Sequence, residues 1–315
     1  MESMAEVFWV TGEKILSLMC FFALGFALAR KKMLPDDAPQ TLSKLLMTLF
    51  CPALTLNGLA SNLNRAAIRD NAGLMLTSGA MILAAIAVSR VLSQRLSKGD
   101  RELRAILRYD LLYSNYGYIG YPLILAIFGQ AVLSRFLLFV VPVSITCYTY
   151  GRMVVEDDRR LSFGFMMKPL SLAVLLGLLI GVLEIPLPGV IGDVLSASGS
   201  CTGPVSMLVS GMVLSRVDLR ECLADRRNYL FALLRLVALP LLFMAVMLPL
   251  GVRGEALFFS GCFLSLPMGN NPIVFREARG MDTQKAAGMT LLSYLFSLIT
   301  VPVLFALFRH LAGLA

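Results

Sequence analysis

The sequence predicts an all-α polytopic membrane protein with ten transmembrane helices, arranged as two inverted repeats of five helices with one broken helix in each. Three observations lead to this architecture. Hydrophobic residues occupy 57% of the 315 positions and fall in about ten long apolar stretches. Lysines and arginines gather in alternate loops between the stretches, and prolines recur at matching places in the two halves of the chain.

The composition excludes an ordinary water-soluble domain. Charged residues make up only 15% of the chain and the mean hydropathy is +0.77, whereas soluble domains are about a quarter charged. A soluble fold of this length has no core large enough to hide so much apolar surface, so membrane lipid is an expected partner. The first apolar stretch has no basic segment before it, and we interpret it as a transmembrane helix and not as a signal peptide.

Each apolar stretch is close to the roughly 20 residues that a transmembrane helix needs. The expected spans, numbered one to ten along the chain, cover residues 10–30, 41–60, 70–90, 104–130, 132–154, 168–185, 190–215, 227–250, 254–278 and 286–309. The first repeat covers residues 1–154, a short cytoplasmic linker follows at residues 155–167, and the second repeat covers residues 168–315. Because each repeat has an odd number of spans, the second enters the membrane from the opposite side.

The basic residues predict the orientation. Of the 28 lysines and arginines, 21 fall in the loops on one side and 6 on the other. The side that is rich in lysine and arginine usually faces the cytoplasm, so both termini are expected outside it. This role accounts for the net charge of +8 without a nucleic-acid partner. The 6 cysteines are scattered through apolar segments, and their spacing predicts neither disulfides nor a metal site.

The prolines indicate the repeat. Pro52 and Pro122 lie 70 residues apart in the first half, and Pro204 and Pro272 lie 68 residues apart in the second. The surrounding polar residues also match between the halves. An inverted repeat of this kind is common in secondary transporters. The alternative is chance placement of the 14 prolines, since membrane helices tolerate proline.

Spans four and nine are each interrupted in the middle by residues that break helices. The interruption in span four contains Ser114, Asn115, Tyr116, Gly117, Tyr118, Gly120 and Pro122. The interruption in span nine contains Pro267, Gly269, Asn270, Asn271 and Pro272. Proline removes a backbone donor and glycine permits unwound backbone.

These two interruptions predict a substrate-binding site. Freed backbone groups cannot face lipid, so they must face protein or a water-filled cavity. Equivalent breaks in inverted halves meet near the middle of the bilayer, where helix N-termini favour an anion and asparagines supply donors and acceptors. The alternative is a pair of kinked packing helices whose asparagines satisfy local backbone groups.

Four segments together resemble the auxin efflux carrier family of membrane transporters, and the resemblance covers nearly the whole chain. They are LSKLLMTLFCPALTLNGLA (42–60), SNYGYIGYPLILAIFGQAVL (114–133), GPVSMLVSGMVLS (203–215) and MDTQKAAGMTLLSYLFSLITVP (281–302). The resemblance implies a fold similar to that of bile-acid sodium symporters. A scaffold would contain spans one, two, six and seven. A transport core would contain spans three to five and eight to ten, with spans four and nine crossing at the site.

The resemblance also implies substrates such as auxin in plants and malate, malonate or related organic anions in bacteria. Plant members often carry a long hydrophilic central loop, whereas the central loop of this chain, residues 155–168, is short. This looks like the compact prokaryotic form, in the cytoplasmic (inner) membrane of a bacterium, and it makes auxin itself a poor candidate. A homodimer is suggested by the resemblance alone.

Arg235 is the basic residue that lies well inside a span, where a charge is costly and usually functional. Asp110 lies at a similar depth in span four. We therefore predict that Arg235 attracts the substrate anion or pairs with Asp110 in one conformation. The alternative is that the arginine extends to the membrane interface.

Hydroxyl residues Thr290, Ser293, Ser297 and Thr300 share one face of span ten. This face either packs closely against another helix or lines the cavity beside the crossing.

The function predicted from these patterns is a secondary active transporter that moves a small organic anion by alternating access. No cofactor is expected. The breaks contain no carboxylate, and the sequence leaves open sodium coupling, proton coupling and uniport. Alternatives are a sodium-coupled symporter of bile-acid-like or other organic solutes, a channel, and a receptor with a transporter fold. An intramembrane enzyme is disfavoured, because the chain has a single histidine, His310, and neither H-E-x-x-H nor G-x-S-x-G.

Overall fold

The computed structural model describes residues 4–62, 64–156, 169–277 and 281–314. Regular secondary structure within these ranges is entirely helical, apart from one isolated bridge between Ser114 and Met268. Most of the predicted linker lies outside the described residues.

The helices before the linker are α1 (Met4–Arg30), α2 (Ala38–Leu45), α3 (Cys51–Asn62), α4 (Arg65–Asp70), α5 (Ala72–Leu96), α6 (Arg101–Leu112), α7 (Tyr121–Thr146) and α8 (Arg152–Glu156). The helices after it are α9 (Pro169–Leu183), α10 (Gly189–Ser200), α11 (Thr202–Leu214), α12 (Leu219–Ala224), α13 (Arg226–Leu233), α14 (Leu239–Met247), α15 (Gly254–Ser265), α16 (Asn271–Glu277) and α17 (Gln284–Leu311). Short π-helical turns are Leu46–Phe50, Tyr116–Gly120, Cys147–Gly151 and Leu234–Ala238.

Several of these helical stretches are apolar enough to cross a membrane. Among the described residues, six stretches meet the length and hydropathy that a span requires: Ala38–Ser61, Ala72–Leu96, Tyr121–Val155, Gly189–Leu214, Arg226–Met247 and Gln284–Leu311. Shorter apolar helices are Leu16–Arg30, Pro169–Leu183 and Gly254–Ser265. The all-helical, polytopic architecture is thus confirmed, while the count of ten spans and the inverted order of the repeats stay predictions.

Helices α1 and α11 make the most extensive helix contact of the structure. A Cβ atom at Gly25 would collide with the carbonyl oxygen of Leu208, and one at Gly211 would collide with that of Phe22. The two backbones therefore touch directly, as small residues allow in membrane helix pairs. Gly177 and Gly199 bring α9 and α10 similarly close to α3.

Helix α7 bends at Gly129, whose dihedral angles are φ 78° and ψ 178°. A side chain with a Cβ atom rarely adopts this conformation, so glycine is the residue that permits the bend. The bend separates the short helical segment that follows the first break from the long segment that begins the predicted fifth span.

Two sets of ion pairs join the helices around the breaks, one set at each end of these helices. Arg135 of α7 binds Glu255 of α15 through two guanidinium nitrogens and both carboxylate oxygens. The Nη2–Oε1 and Nε–Oε2 distances are both 2.7 Å. At the other end, Glu102 of α6 pairs with Arg276 of α16 and, at 2.6 Å, with Lys285 of α17.

Asp100 caps the N-terminus of α6. Its carboxylate accepts a hydrogen bond from the backbone N–H of Leu103 at 3.0 Å and pairs with the Lys285 ammonium at 2.9 Å. The backbone hydrogen bond, followed by the bond from Lys285, holds the pKa of Asp100 below its usual value.

Candidate functional site

The two predicted breaks meet in the structure. Helix α6 ends at Leu112 and α15 ends at Ser265, and the residues that follow, Tyr113 and Leu266, have extended backbone. The backbone N–H of Asn115 donates to the carbonyl oxygen of Pro267 at 2.7 Å. Ser114 and Met268 form the antiparallel bridge beside it. The unwound segments therefore satisfy part of each other's backbone hydrogen bonding, which explains how unwound backbone is tolerated at this depth.

A chain of side-chain hydrogen bonds runs through the crossing. Asn115 donates from Nδ2 to the hydroxyl of Tyr294 at 2.6 Å, and that hydroxyl donates to Oδ1 of Asn270 at 2.8 Å. Asn270 in turn donates from Nδ2 to the hydroxyl of Ser210 at 2.7 Å. The chain joins both breaks to α17 and to α11.

The second break has further contacts with its neighbours. Asn271 donates to the hydroxyl of Tyr109 at 2.7 Å, and the backbone N–H of Met268 donates to Ser293 of α17 at 3.1 Å. The Tyr109 hydroxyl also lies 3.0 Å from Sγ of Cys147. These bonds fix the direction of both neighbouring asparagines, Asn270 and Asn271.

Residues from both breaks line one small cavity of about 30 Å³. Its predicted members are Ser114, Asn115, Tyr116, Gly117, Gly269, Asn270 and Asn271. Met47, Cys51, Tyr121 and Leu170 complete the lining. One water molecule needs roughly 10–15 Å³ of such space, so the cavity holds about two waters, and an organic anion requires movement of the surrounding helices.

The remaining break residues have supporting positions. A Cβ atom at Gly120 would lie 2.7 Å from Cδ1 of Leu266, so the two breaks pack closely at this glycine. Pro122 packs against Gly203 of α11. Pro267 supplies the carbonyl bound by Asn115, and Pro272 is buried at the start of α16. Tyr118 belongs to the π-helical turn, but its side chain lies outside the described part of the chain.

The hydroxyl face of α17 is buried but does not belong to the cavity lining. Ser293 donates to the carbonyl of Thr290 at 2.8 Å while accepting from Met268, and Ser297 donates to the carbonyl of Tyr294 at 2.7 Å. Tyr294 lies on the same face and carries the link to both breaks. Sequence reasoning missed it, although its position four residues after Thr290 places it on the predicted face.

Asp110 and Arg235 are both completely buried. The guanidinium carbon of Arg235 lies 5.9 Å from the centre of the Phe263 ring, and its Nη2 donates to the Phe263 carbonyl at 3.4 Å. Arg235 therefore points into the protein and not to a membrane interface. No hydrogen bond or ion pair joins Asp110 to Arg235, although each charge lies within electrostatic range of the other.

No metal centre is evident in the described part of the chain, where no group of three His, Cys, Asp or Glu side chains could hold an ion. The six cysteines, all within the described residues, form no disulfide.

Comparison with known proteins assigns the family. The family described as membrane transport protein matches residues 10–162 and 161–305, which is most of the chain. The chain belongs to this family. The resemblance to auxin efflux carriers is thus confirmed, and with it a transport function and an integral membrane location. The chain is also 23% identical over 304 residues to an uncharacterized transporter of Methanothermobacter thermautotrophicus (strain Delta H), covering 94% of this chain and 98% of that protein.

Proposed function

We propose that this membrane transport protein is a secondary transporter for a small organic anion, such as a mono- or dicarboxylate, which binds where the two broken helices cross. The observation that carries the proposal is the cavity that both breaks line together. It contains the amide side chains of Asn115, Asn270 and Asn271. Amide N–H groups are neutral donors that suit carboxylate oxygens, and Gly117 and Gly269 line the same cavity without a side chain that would cover their backbone.

A ten-span, inverted-repeat arrangement is part of this proposal. Each predicted span coincides with one helical stretch or with two stretches separated by a break or bend. The two sets of ion pairs give further support. Glu102 begins α6 and pairs with Lys285 at the start of α17, which joins spans four and ten. Glu255 begins α15 and pairs with Arg135 near the start of the long segment of α7, which joins spans nine and five. These pairings are equivalent under exchange of the two halves.

Alternating access requires that one group of helices moves relative to another. The direct backbone contact of α1 with α11, and the close packing of α3 against α9 and α10, favour a rigid scaffold of spans one, two, six and seven. The breaks and their ion pairs belong to the other spans, which would move as the transport core. With the cytoplasm on the side rich in lysine and arginine, both termini lie outside it.

Thermal unfolding of the purified protein in detergent tests the proposal. The ligand panel would contain malate, malonate, citrate, indole-3-acetate and a bile acid, each with and without sodium. A ligand that binds the folded state raises the melting temperature by mass action. We expect a shift with at least one carboxylate, and we expect Asn115→Ala and Asn271→Ala to abolish it. Asn64→Ala, at an exposed position, is the matched control and should keep it. Shifts with cationic or neutral solutes alone would contradict an anionic substrate.

A further inference from the structure

Two buried charged side chains next to the crossing lack the partners that buried charges normally have. Neither carboxylate oxygen of Asp110 has a hydrogen-bond partner, and neither do Nε and Nη1 of Arg235. Both side chains are 0% exposed. Burying an ionised carboxylate without a donor is strongly unfavourable, whereas the protonated form carries no charge to desolvate.

The C-terminal ends of α6 and α15 have opposite effects on the charges of these two residues. Asp110 lies in the last turn of α6, where the partial negative charge of the carbonyl end disfavours a carboxylate. Arg235 binds the carbonyl of Phe263 in the last turn of α15, where the same helix-end charge favours a cation. The aromatic ring of Phe263 adds a cation–π contact. This arrangement suits a neutral Asp110 beside a charged Arg235.

Arg235 lies one side chain behind the cavity lining, and Asp110 lies within electrostatic range of a residue that bonds the lining. The Phe263 ring that contacts Arg235 lies 5.7 Å from the ring of Tyr116, which lines the cavity. Asp110 interacts electrostatically with Tyr294, whose hydroxyl bonds Asn115 and Asn270 of the lining. When Asp110 is neutral, an anion in the cavity is attracted by Arg235 alone. When Asp110 is ionised, its charge offsets that of Arg235 and the attraction is weaker.

We propose that Asp110 is the proton-binding site of a proton–anion symport, and that its protonation frees the positive charge of Arg235 to attract the substrate. The inference rests on the proposed function and specifies its coupling ion. A proton from one aqueous compartment forms the Asp110 O–H bond, travels in the same direction as the anion, and is released to the other compartment when that bond breaks. Because linkage is reciprocal, anion binding must favour proton uptake by the same factor.

Other charged groups near α6 are engaged away from Asp110. On α6 itself, Arg104 donates to Ser97 and Arg108 donates to Ser93. Of the described side chains on the helices packed against α6, Lys285 and Arg276 pair with Glu102 at the N-terminal end of α6, and Arg90 stacks on Tyr150. Cys147, from the adjacent π-helical turn, contacts Tyr109. Arg235 and Tyr294 are thus the groups that act on Asp110. Arg235 repels either cation, but a sodium ion would need several oxygen ligands, whereas a proton needs one oxygen.

Anion affinity measured by calorimetry as a function of pH tests the proposal. The probe is whichever panel carboxylate shifts the melting temperature of the wild type. We expect wild-type affinity to fall about tenfold from mildly acid to alkaline pH, a typical size for coupling between two sites. Asp110→Asn imitates the protonated acid and should keep the acid-pH affinity throughout. Asp70→Asn, at an exposed carboxylate, should behave as the wild type. Titration of the anion itself affects all three proteins equally.

Two results would overturn the proposal: an Asp110→Asn variant that keeps the wild-type pH dependence, or an affinity that responds to sodium and not to pH. Infrared difference spectra between acid and alkaline pH provide a second readout that needs no substrate. The wild type should show the carbonyl band of a buried carboxylic acid, and Asp110→Asn should lack it. The same band in both proteins contradicts the assignment. Absence of anion binding with a band that depends on Asp110 would instead contradict the proposed function alone.

Discussion

The contact of α1 with α11 and the crossing of the two breaks are held together in different ways. In the first, Gly25 and Gly211 bring two backbones into direct contact, and no side chain intervenes. In the second, a hydrogen-bond chain through Asn115, Tyr294 and Asn270 joins the elements. A tightly packed backbone contact has no alternative partner, whereas each polar group of the crossing can exchange its partner for water, and each donor can exchange it for a carboxylate. The first region suits a fixed scaffold and the second a site that changes its contacts.

The largest effect is expected when the scaffold contact is broken. Gly211→Ala places a methyl group against the backbone of Phe22, and overpacking of this kind costs about 1–3 kcal/mol. We expect a clear loss of thermal stability in detergent. Gly192→Ala on α10 is the control, because nothing lies within 4 Å of the added atom. It should leave stability equal or raise it, since alanine favours helix. Equal destabilisation by both changes would remove the distinction between the two regions.

The next effect concerns the hydrogen-bond chain of the crossing. Tyr294→Phe removes one hydroxyl, leaves the ring contact with Phe22, and deletes the bond that Asn115 donates and the bond that Asn270 accepts. We expect a loss of stability of about 1–3 kcal/mol and roughly a tenfold drop in anion affinity, because the two asparagines are no longer oriented. Tyr229→Phe, whose hydroxyl bonds the carbonyl of Leu223 on the surface, is the control. Unchanged affinity in Tyr294→Phe would mean that the chain does not orient the asparagines for substrate.

A smaller effect is expected when the hydrogen bond between the second break and α11 is removed. Ser210→Ala removes the hydroxyl of α11 that accepts from Asn270, a change worth about 1 kcal/mol. We expect the conformation in which the second break packs against α11 to lose population. Hydrogen exchange of the backbone at residues 266–270 should then be faster. Ser215→Ala, which loses only a bond to Met212 in its own helix, should leave this exchange unchanged. If exchange is equally fast in both variants, the hydrogen bond between Ser210 and Asn270 does not stabilise the second break.

The smallest effect is expected at the N-terminal end of α6. Because the pKa of Asp100 is lowered in the folded protein, its stabilising contribution is present above the unfolded pKa of about 3.9 and is lost as pH falls through the lower folded value. Asp100→Asn keeps the helix cap but removes the charge that faces Lys285. We expect a loss below about 1 kcal/mol at neutral pH, since the carboxylate is 34% exposed. In chemical denaturation the difference from wild type should vanish in acid, and a constant difference would contradict the ionic origin.

The sequence was sufficient to predict the breaks and most of the cavity, because proline, glycine and asparagine act on the local backbone. It could not supply the partners that fold from distant helices, such as Tyr294, Ser210 and Met47. The positions of Asp110 and Arg235 within the predicted spans indicated their depth in the membrane. Depth does not fix the direction of a side chain around its helix, however, and the structure leaves the two without a hydrogen bond between them.

Both proposals require that an organic anion crosses the membrane through the site where the breaks meet. Counterflow of a radiolabelled carboxylate into proteoliposomes that contain the unlabelled anion tests this requirement most directly, because exchange requires the binding site and no coupling ion gradient. We expect transient accumulation with the wild type and with Asn64→Ala, and none with Asn115→Ala or Asn271→Ala. Equal accumulation with all four proteins would place the substrate outside the crossing and contradict this account.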